Sequence, residues 1–353
     1  MRIGIAFTLK HDVDSEDTPL PTLGSSDLND ANEEFDSPET IAAIRAVLES
    51  AGHDVTLLGD GPSLLRKLLD GPRPDLVFNI AEGRGNLRGR EARVPAILET
   101  FGIPYTGSDP LTLAAALDKD CAKRLLRVGG VPTPDWVLVD GRTEGVQKHE
   151  QRARLDALPL PVFVKPAYEG SSKGIVGSNL IIRRDELHQT IDRLASDYAQ
   201  PILVEEFIEG DELTVGIVGH EPRDVLGIMH VVPLAKAQKP FIYGIDVKRD
   251  WQDRVRYECP PQISDADVET VRRAALDAWR ALGCRDVTRL DFRLRDGIAY
   301  CLEANPLPGL TPKTSDLVIL AEAVGVTYDE LILRIVDGAR QRLNVESHAT
   351  SVS

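Results

Sequence analysis

Short apolar runs and amphipathic stretches take turns along the first third of the chain, and their two periods predict strands and helices in alternation. RIGIAF at 2–7 reads as a buried first strand. Pro38 to Ala51 reads as a helix, with Ser37 as its cap, Pro38 in its first position and Gly52 past its end. Residues 55–58 and 75–79 (DLVFN) supply two further strands, and 63–69 and 90–101 two further helices. This order implies a parallel α/β domain to about residue 112, with ligands at the carboxyl ends of its strands. Asn79, Glu82 and the loop AEGRGNLRGRE lie at that end, where Gly83, Gly85 and Gly89 permit close backbone approach and Arg88, Arg90 and Arg93 bring positive charge. The acidic segment from Lys10 to Asp36 is longer than an ordinary strand-to-helix loop: a flap, an insertion beside the substrate, or a solvated connection.

Beyond residue 112 the pattern turns to α+β. Helices are predicted over 118–127, 185–195, 265–282 and 328–343, the third capped by Ser264 and ended by Gly283. Strands are predicted in VPTPDW, PVFVKP, SNLIIRR, ILVEEFI, DELTVGIV, VLGIMHVVPL and VRYECP. Residues 140–158 are polar and fit neither period, 236–253 read as a long polar and aromatic loop, and the tail from 346 is expected to be disordered. The resulting division is 1–112, 113–209, 210–345 and the tail 346–353.

VTRLDFRLRDGIAYCLEAN contains two alternating runs around Arg295-Asp296-Gly297, which predicts a hairpin with a three-residue loop. In that register Leu294 faces Ile298, Phe292 faces Tyr300 and Leu290 faces Leu302 on an apolar side. Arg289, Asp291, Cys301, Glu303 and Asn305 gather on the other. Two carboxylates and an amide oxygen, with no His or thiolate pair, suit Mg2+ and hence a magnesium nucleotide; the other reading is an ordinary solvated face. A slip of one residue would part Asp291 from Glu303.

Two further stretches suggest the same ligand. In VKPAYEGSSKG, Lys165 offers a point charge, while Ser171 and Ser172 lie in a Gly-bracketed loop able to fold over phosphates, or simply to join two strands. In LVEEFIEGDELTV, the backbone at Glu206 and Ile208 could meet an adenine edge and the carboxylate of Glu205 or Glu212 could accept from the adenine amine or ribose hydroxyls; such acids are also commonly just solvated.

Composition narrows the classes. A 353-residue chain with 42% hydrophobic residues is long enough for two or three domains, and its charge of −15 argues against nucleic acid or anionic membrane as a partner. No apolar run is of membrane-spanning length and the N-terminus lacks a signal peptide's apolar region, which suggests a cytoplasmic protein. Four scattered cysteines form no CxxC and read as reduced thiols. The first strand runs into TLKHDVD without GxGxxG, against a dinucleotide site.

Taken with GIPYTGS at 102–108, LDKDCAKRLL at 117–126 and LEANPLPGLTP at 302–312, these stretches resemble the ATP-grasp superfamily and, within it, the D-alanine:D-alanine ligases and related carboxylate–amine ligases. The resemblance implies an N-terminal α/β domain followed by two α+β subdomains clamping ATP. It implies that Lys123 and Lys165 contact the nucleotide, and that Ser171 and Ser172 close over the γ-phosphate. Glu205, Glu206, Ile208 and Glu212 would hold adenine and ribose, and Asp291, Glu303 and Asn305 two Mg2+ ions, with Mn2+ as a substitute. Arg289 and the backbone of Gly309 would stabilise an oxyanion, and Lys248, on a mobile loop within 236–253, would reach the γ-phosphate. The implied reaction phosphorylates a carboxylate and transfers the acyl group to the amine of a second amino acid or small peptide. A homodimer is the family-level expectation.

This chain departs from those ligases where substrates bind. It lacks their Gly-Gly-x-Ser signature after the first strand, so Asp36 or Glu39 takes the acidic role against the first substrate's amine. Lys248-Arg249 stands where a Lys-Tyr pair is common. LTPKTS follows Gly309, leaving Lys313, Thr314 and Ser315 to meet the second substrate's carboxylate. Other amino acids or small peptides, or an ATP-binding regulator without turnover, are the alternatives.

Overall fold

β1 (Arg2–Phe7), α1 (Pro38–Ser50), β2 (Asp54–Leu57), α2 (Gly61–Asp70), β3 (Leu76–Ile80) and α3 (Arg93–Thr100) realise the alternation read from the N-terminal third. The computed structural model describes residues 1–10, 33–171, 173–221, 224–234 and 240–351, so most of the acidic segment and Ser172 lie outside the described residues. The strands form a parallel sheet in the order β2-β1-β3. α1 starts where its sequence says it should: Ser37 accepts from the Thr40 amide at 3.2 Å, and Pro38 occupies a position that needs no N–H.

α4 (Pro110–Leu117), α5 (Lys119–Val128), β4 (Trp136–Val139), α6 (Gly145–Ala157), β5 (Val162–Pro166), β6 (Leu180–Ile181), α7 (Arg184–Tyr198) and β7 (Ile202–Glu206) follow, their strands forming an antiparallel sheet in the order β4-β7-β5-β6. Two of these helices escaped the sequence pattern for opposite reasons. PLTLAAAL is apolar nearly all round and shows no polar face; its start is fixed by Asp109, which accepts from the Thr112 amide at 2.8 Å. α6 buries only Leu155, so it shows no apolar stripe.

The remaining chain gives β8 (Asp211–Gly219), β9 (Gly227–Pro233), α8 (Ile245–Arg249), α9 (Trp251–Arg254), β10 (Val255–Glu258), α10 (Asp265–Leu282), β11 (Asp286–Arg295), β12 (Ile298–Asn305), α11 (Asp316–Ala323) and α12 (Tyr328–Ser351). Its strands pair antiparallel in the order β10-β9-β8-β11-β12. Two short helices thus stand in part of the stretch read as a loop over 236–253. α12 continues past residue 343, and the tail expected to be disordered from 346 is helical through Ser351: NVESHATS has lost the apolar period but contains no Gly or Pro to stop a helix.

The β11–β12 hairpin corrects the expected register. Asp296 (φ 52°) and Gly297 (φ 74°) are both left-handed, which makes the loop a two-residue type I′ turn and pairs Arg295 with Ile298. Carried along the ladder, that slip would separate the two acids. A β-bulge cancels it: Phe292 pairs with Cys301 and Asp291 with Glu303, so Leu302 is the extra residue of β12. The buried face is therefore Leu290, Phe292 and Leu294 with Ala299, Cys301 and Ala304, in place of Tyr300 and Leu302. Cys301 belongs to the core and not to the face carrying the acids.

The N-terminal sheet does not have a core to itself. Ile3, Ile5 and Phe78 pack with Leu317, Leu331, Ile332 and Val336 of the last two helices, while the opposite face is covered by α2 and α3 through Leu64, Leu68 and Leu98. A buried ion pair ties the same parts together: Arg342 meets Asp286 at 2.9 Å and donates to the Tyr105 carbonyl at 2.8 Å, while Asp286 accepts from the Gly107 amide at 2.9 Å. Among the described residues, no helix is long and apolar enough to cross a membrane. Removing one partner leaves a buried charge uncompensated, so Asp286→Ala is expected to lower stability by about 3–5 kcal/mol, measured as a shifted urea-unfolding midpoint.

Candidate active site

Two adjoining cavities lie against the carboxylate face of β11 and β12. The smaller, about 90 Å³, is bounded by Lys165 of β5, Glu205 of β7, Glu212 of β8, and Asp291 and Glu303 of the hairpin, so both antiparallel sheets contribute. The larger, about 400 Å³, runs from Arg289, Glu303, Asn305 and Gly309 to Glu34, Asp36, Glu82 and Glu91 on the N-terminal side. Lys248 and Tyr243 border both cavities.

At the small cavity, the buried Glu205 carboxylate bridges Lys123 at 2.8 Å and Lys165 at 2.6 Å. Burial pushes the Lys123 amine down; for Lys165 burial works the same way, but Glu205 and Glu303 outweigh it and hold the ammonium charged. Lys123 also donates to the Thr133 hydroxyl at 2.8 Å, which donates to the Cys301 carbonyl. Glu212 is ion-paired with Arg293 across the ladder, and Arg293 donates to the Phe241 carbonyl at 2.7 Å. Glu206 lines the cavity with its other groups engaged: its amide donates to the Asp135 carbonyl at 2.8 Å and its carboxylate pairs with Arg295 at 2.9 Å. The Glu206 amide is thus taken, which narrows the backbone reading at Glu206 and Ile208 to their other groups. Ile208, buried, lines the same edge.

The hairpin carries the densest charge. Asp291 accepts from Arg289 at 3.0 Å, from Thr214 at 3.1 Å and from the Asn305 amide at 3.3 Å. Glu303, paired opposite it, meets Lys119 at 2.9 Å. Burial alone would raise the Glu303 carboxyl, yet Lys119 and Lys165 override it and hold it at about 2. Arg289 and Lys248 each stand 3.5 Å from Asp316, which also accepts from the Tyr243 hydroxyl at 2.9 Å. α8 thereby delivers Lys248 to the site, its ammonium 5.0 Å from the centre of the Tyr243 ring.

At the N-terminal end, Glu34 pairs with the fully buried Arg90 at 2.7 Å and with Lys173 at 3.4 Å, and accepts from the Gly170 amide. A side chain at Gly83 (φ 72°) would come within 2.5 Å of the Arg90 carbonyl, so glycine is what lets this loop close on itself. Burial pushes Asp36 up to about 8 despite nearby Lys10. Burial and the charges of Glu34 and Glu91 raise Glu82 well above the usual range, and burial raises Glu91 to about 7 against the pull of Arg90.

Most residues singled out in the sequence meet here. Lys123, Lys165, Glu205, Glu212, Asp291, Glu303, Asn305, Arg289, Gly309, Lys248, Ser171, Asp36, Glu82, Thr314 and Ser315 line the cavities or bond to residues that do. Glu39 does not: it is exposed in the first turn of α1, where its carboxylate suits the helix dipole. Lys313 is exposed in the left-handed region (φ 65°) and lines neither cavity. Ser172 lies outside the described residues. Sequence reasoning missed Lys119, Asp316, Arg293 and Glu34. Only Lys119 left a readable signal, lying four residues before Lys123 on one face of α5.

The family model described as D-ala D-ala ligase C-terminus matches residues 125–337. An uncharacterized protein of Sinorhizobium fredii is 33% identical over 85% of this chain and 87% of its own. The D-alanine–D-alanine ligase of Ralstonia nicotianae is 35% identical over 72% of this chain and 73% of its own. The solved D-alanine–D-alanine ligase of Bacillus anthracis complexed with ATP superposes with a TM-score of 0.71 at 24% identity, covering 98% of this chain and 99% of that one, which establishes the shared fold.

The Glu303 carboxyl has a testable consequence. Its folded value of about 2 lies below its ordinary 4.5, so its contribution to stability is complete above pH 4.5 and is lost as the pH falls through about 2. The shift corresponds to about 3 kcal/mol. Between pH 5 and pH 2 the native protein is expected to lose that much more stability than Glu303→Gln, measured by urea unfolding at each pH.

Proposed function

The chain belongs to the D-alanine–D-alanine ligase family of ATP-dependent carboxylate–amine ligases, and on that premise we propose that its two cavities bind ATP and a pair of amino acids for ligation through an acylphosphate. One observation carries this reading: Asp291 pairs with Glu303, and Asn305 with Arg289, on the strand face shared by both cavities.

The nucleotide occupies the smaller cavity. Lys165 and Lys123 meet its phosphates and base from the floor, with Glu205 and Glu212 as acceptors for the adenine amine or ribose hydroxyls and Ile208 along the edge. Ser171 (φ 46°), at the wall of the larger cavity, is the described part of the Gly-bracketed stretch assigned here to the phosphates.

Asp291, Glu303 and Asn305 fit magnesium by the chemistry of their donors. All three offer hard oxygen, and among the described residues no group of three His, Cys, Asp or Glu is arranged to hold an ion without other ligands. Such a set suits a cation that keeps water and takes phosphate oxygens. Magnesium bound there supplies charge neutralisation at the transferring phosphoryl. Arg289 holds the Asp291 carboxylate in place at 3.0 Å, and Lys119 that of Glu303 at 2.9 Å.

The protein's own work is alignment and charge. Attack of the first substrate's carboxylate on the γ-phosphate breaks its bond to ADP and leaves an acylphosphate. Attack by the second substrate's amine forms the amide, releasing phosphate and one proton. Arg289 and the Gly309 amide stabilise the oxyanion between these states, and Lys248 offsets the phosphoryl charge. Ser315 accepts from the Thr311 amide at 2.9 Å, fixing the turn after Gly309 and setting Thr314 and Ser315 at the cavity wall to receive the second substrate. α8 and the preceding Tyr243 exclude water, which would otherwise hydrolyse the acylphosphate.

Magnesium-dependent ADP release with a matrix of D- and L-amino acids, read with product mass, tests the proposal. A dipeptide, with the mass of the two amino acids less one water, is the expected product. Glu303→Ala, folded by circular dichroism, should turn over at least about a hundredfold more slowly. ATP binding without ADP release from any pair would overturn it.

A further inference from the structure

The larger cavity has more carboxyl groups than one amino acid needs. Of the carboxylates along it, Glu34 is held by Arg90 and Lys173, Glu33 by Arg249, Glu303 by Lys119, and Asp316 by Lys248 and Arg289. Asp36, Glu82 and Glu91 remain. Among the described residues none of the three has an ion-pair partner, and Lys10 is the one lining cation not already paired with a carboxylate. Counted with the neighbouring Glu34 and Glu169, five carboxyl groups stand against three cations, Arg90, Lys173 and Lys10, since Lys119 is taken by Glu303.

A second observation is independent of this count. Asp36 Oδ2 is buried with no hydrogen-bond partner, on a residue that lines the cavity. A buried acceptor left unsatisfied costs free energy, which a ligand donor would recover. Asp36, Glu82 and Glu91 line the same cavity as Arg289 and Gly309, so a substrate whose carboxylate reacts at the hairpin has them within the same enclosure. The volume of about 400 Å³ accommodates a small molecule with a side chain.

We propose that the carboxylate donor is an amino acid carrying a second amino group, bound with its two ammonium groups against Asp36, Glu82 and Glu91. The inference rests on the ligase reading above and adds the substrate class. An amino acid with a neutral side chain provides one ammonium and leaves a second buried carboxyl without a partner. A diamino acid satisfies both.

The test compares alanine with 2,3-diaminopropionate, 2,4-diaminobutyrate, ornithine and lysine, each as both enantiomers, by ADP release and product mass. In parallel, the nucleotide-free protein is titrated calorimetrically with each amino acid. At least one diamino acid is expected to exceed alanine tenfold in kcat/KM and in affinity. Glu82→Gln and Asp36→Asn should each reduce that preference at least fivefold, with Glu91→Gln as the substitute for a variant that does not fold. Equal or better use of alanine, or a preference unmoved in the folded variants, overturns the proposal. If no amino acid supports ADP release, the ligase reading fails by itself and calorimetry decides this one: tenfold tighter diamino acid binding supports the pocket, and equal or absent binding overturns it.

Discussion

The site depends on Asp291 and Glu303 standing opposite each other, and that depends on one extra residue in β12. The type I′ turn at Asp296-Gly297 sets a register that would place these acids out of step. The bulge at Leu302 shifts it back before the ladder reaches them. Strand sidedness has a period of two, so a one-residue error would send one carboxylate into the core. The bulge also has a second effect: it turns Leu302 toward the small cavity, where an apolar wall suits the flat face of a base.

Charge is arranged differently at the two ends. Near the hairpin every buried carboxylate has a cation within reach, and the pairs are linked: Lys123 and Lys165 share Glu205, and Arg289 spans Asp291 and Asp316. Such a network can exchange a protein partner for phosphate or metal without creating an isolated charge. At the N-terminal end the carboxyls of Asp36, Glu82 and Glu91 form no ion pair among the described residues, and burial drives them toward the neutral form against the pull of Lys10 and Arg90. The first end is complete without substrate; the second is completed by it.

The two ends are held in relation by the packing of distant parts of the chain. α11 and α12 bury Leu317, Leu331 and Ile335 against the first sheet, and the Arg342–Asp286 pair anchors α12 to the start of β11 and to the loop between α3 and α4. Between β12 and α11 runs the turn containing Gly309 and Ser315. Both of its flanks are fixed by this core, and Thr40 of α1 hydrogen-bonds Thr311 within it at 3.0 Å.

The sequence by itself determined the alternating N-terminal third, most of the later strands and helices, and most of the residues that gather around the two cavities, because those rest on period, caps and short ordered motifs. RIGIAF, Ser37-Pro38 and VKPAYEGSSKG act locally, and local rules read them. Only the tertiary structure decided the hairpin register, since a bulge leaves no mark on the alternation around it. It alone showed α4, whose apolar sequence has no face to detect, and α6, which has almost no apolar face. It also separated Asp36, inside the cavity, from Glu39, three residues on and facing water, and it brought Glu34 to Arg90 and Asp316 to Arg289. Those pairings join residues distant along the chain, and what selects them is the cost of burying a charge alone, which no single stretch of sequence contains.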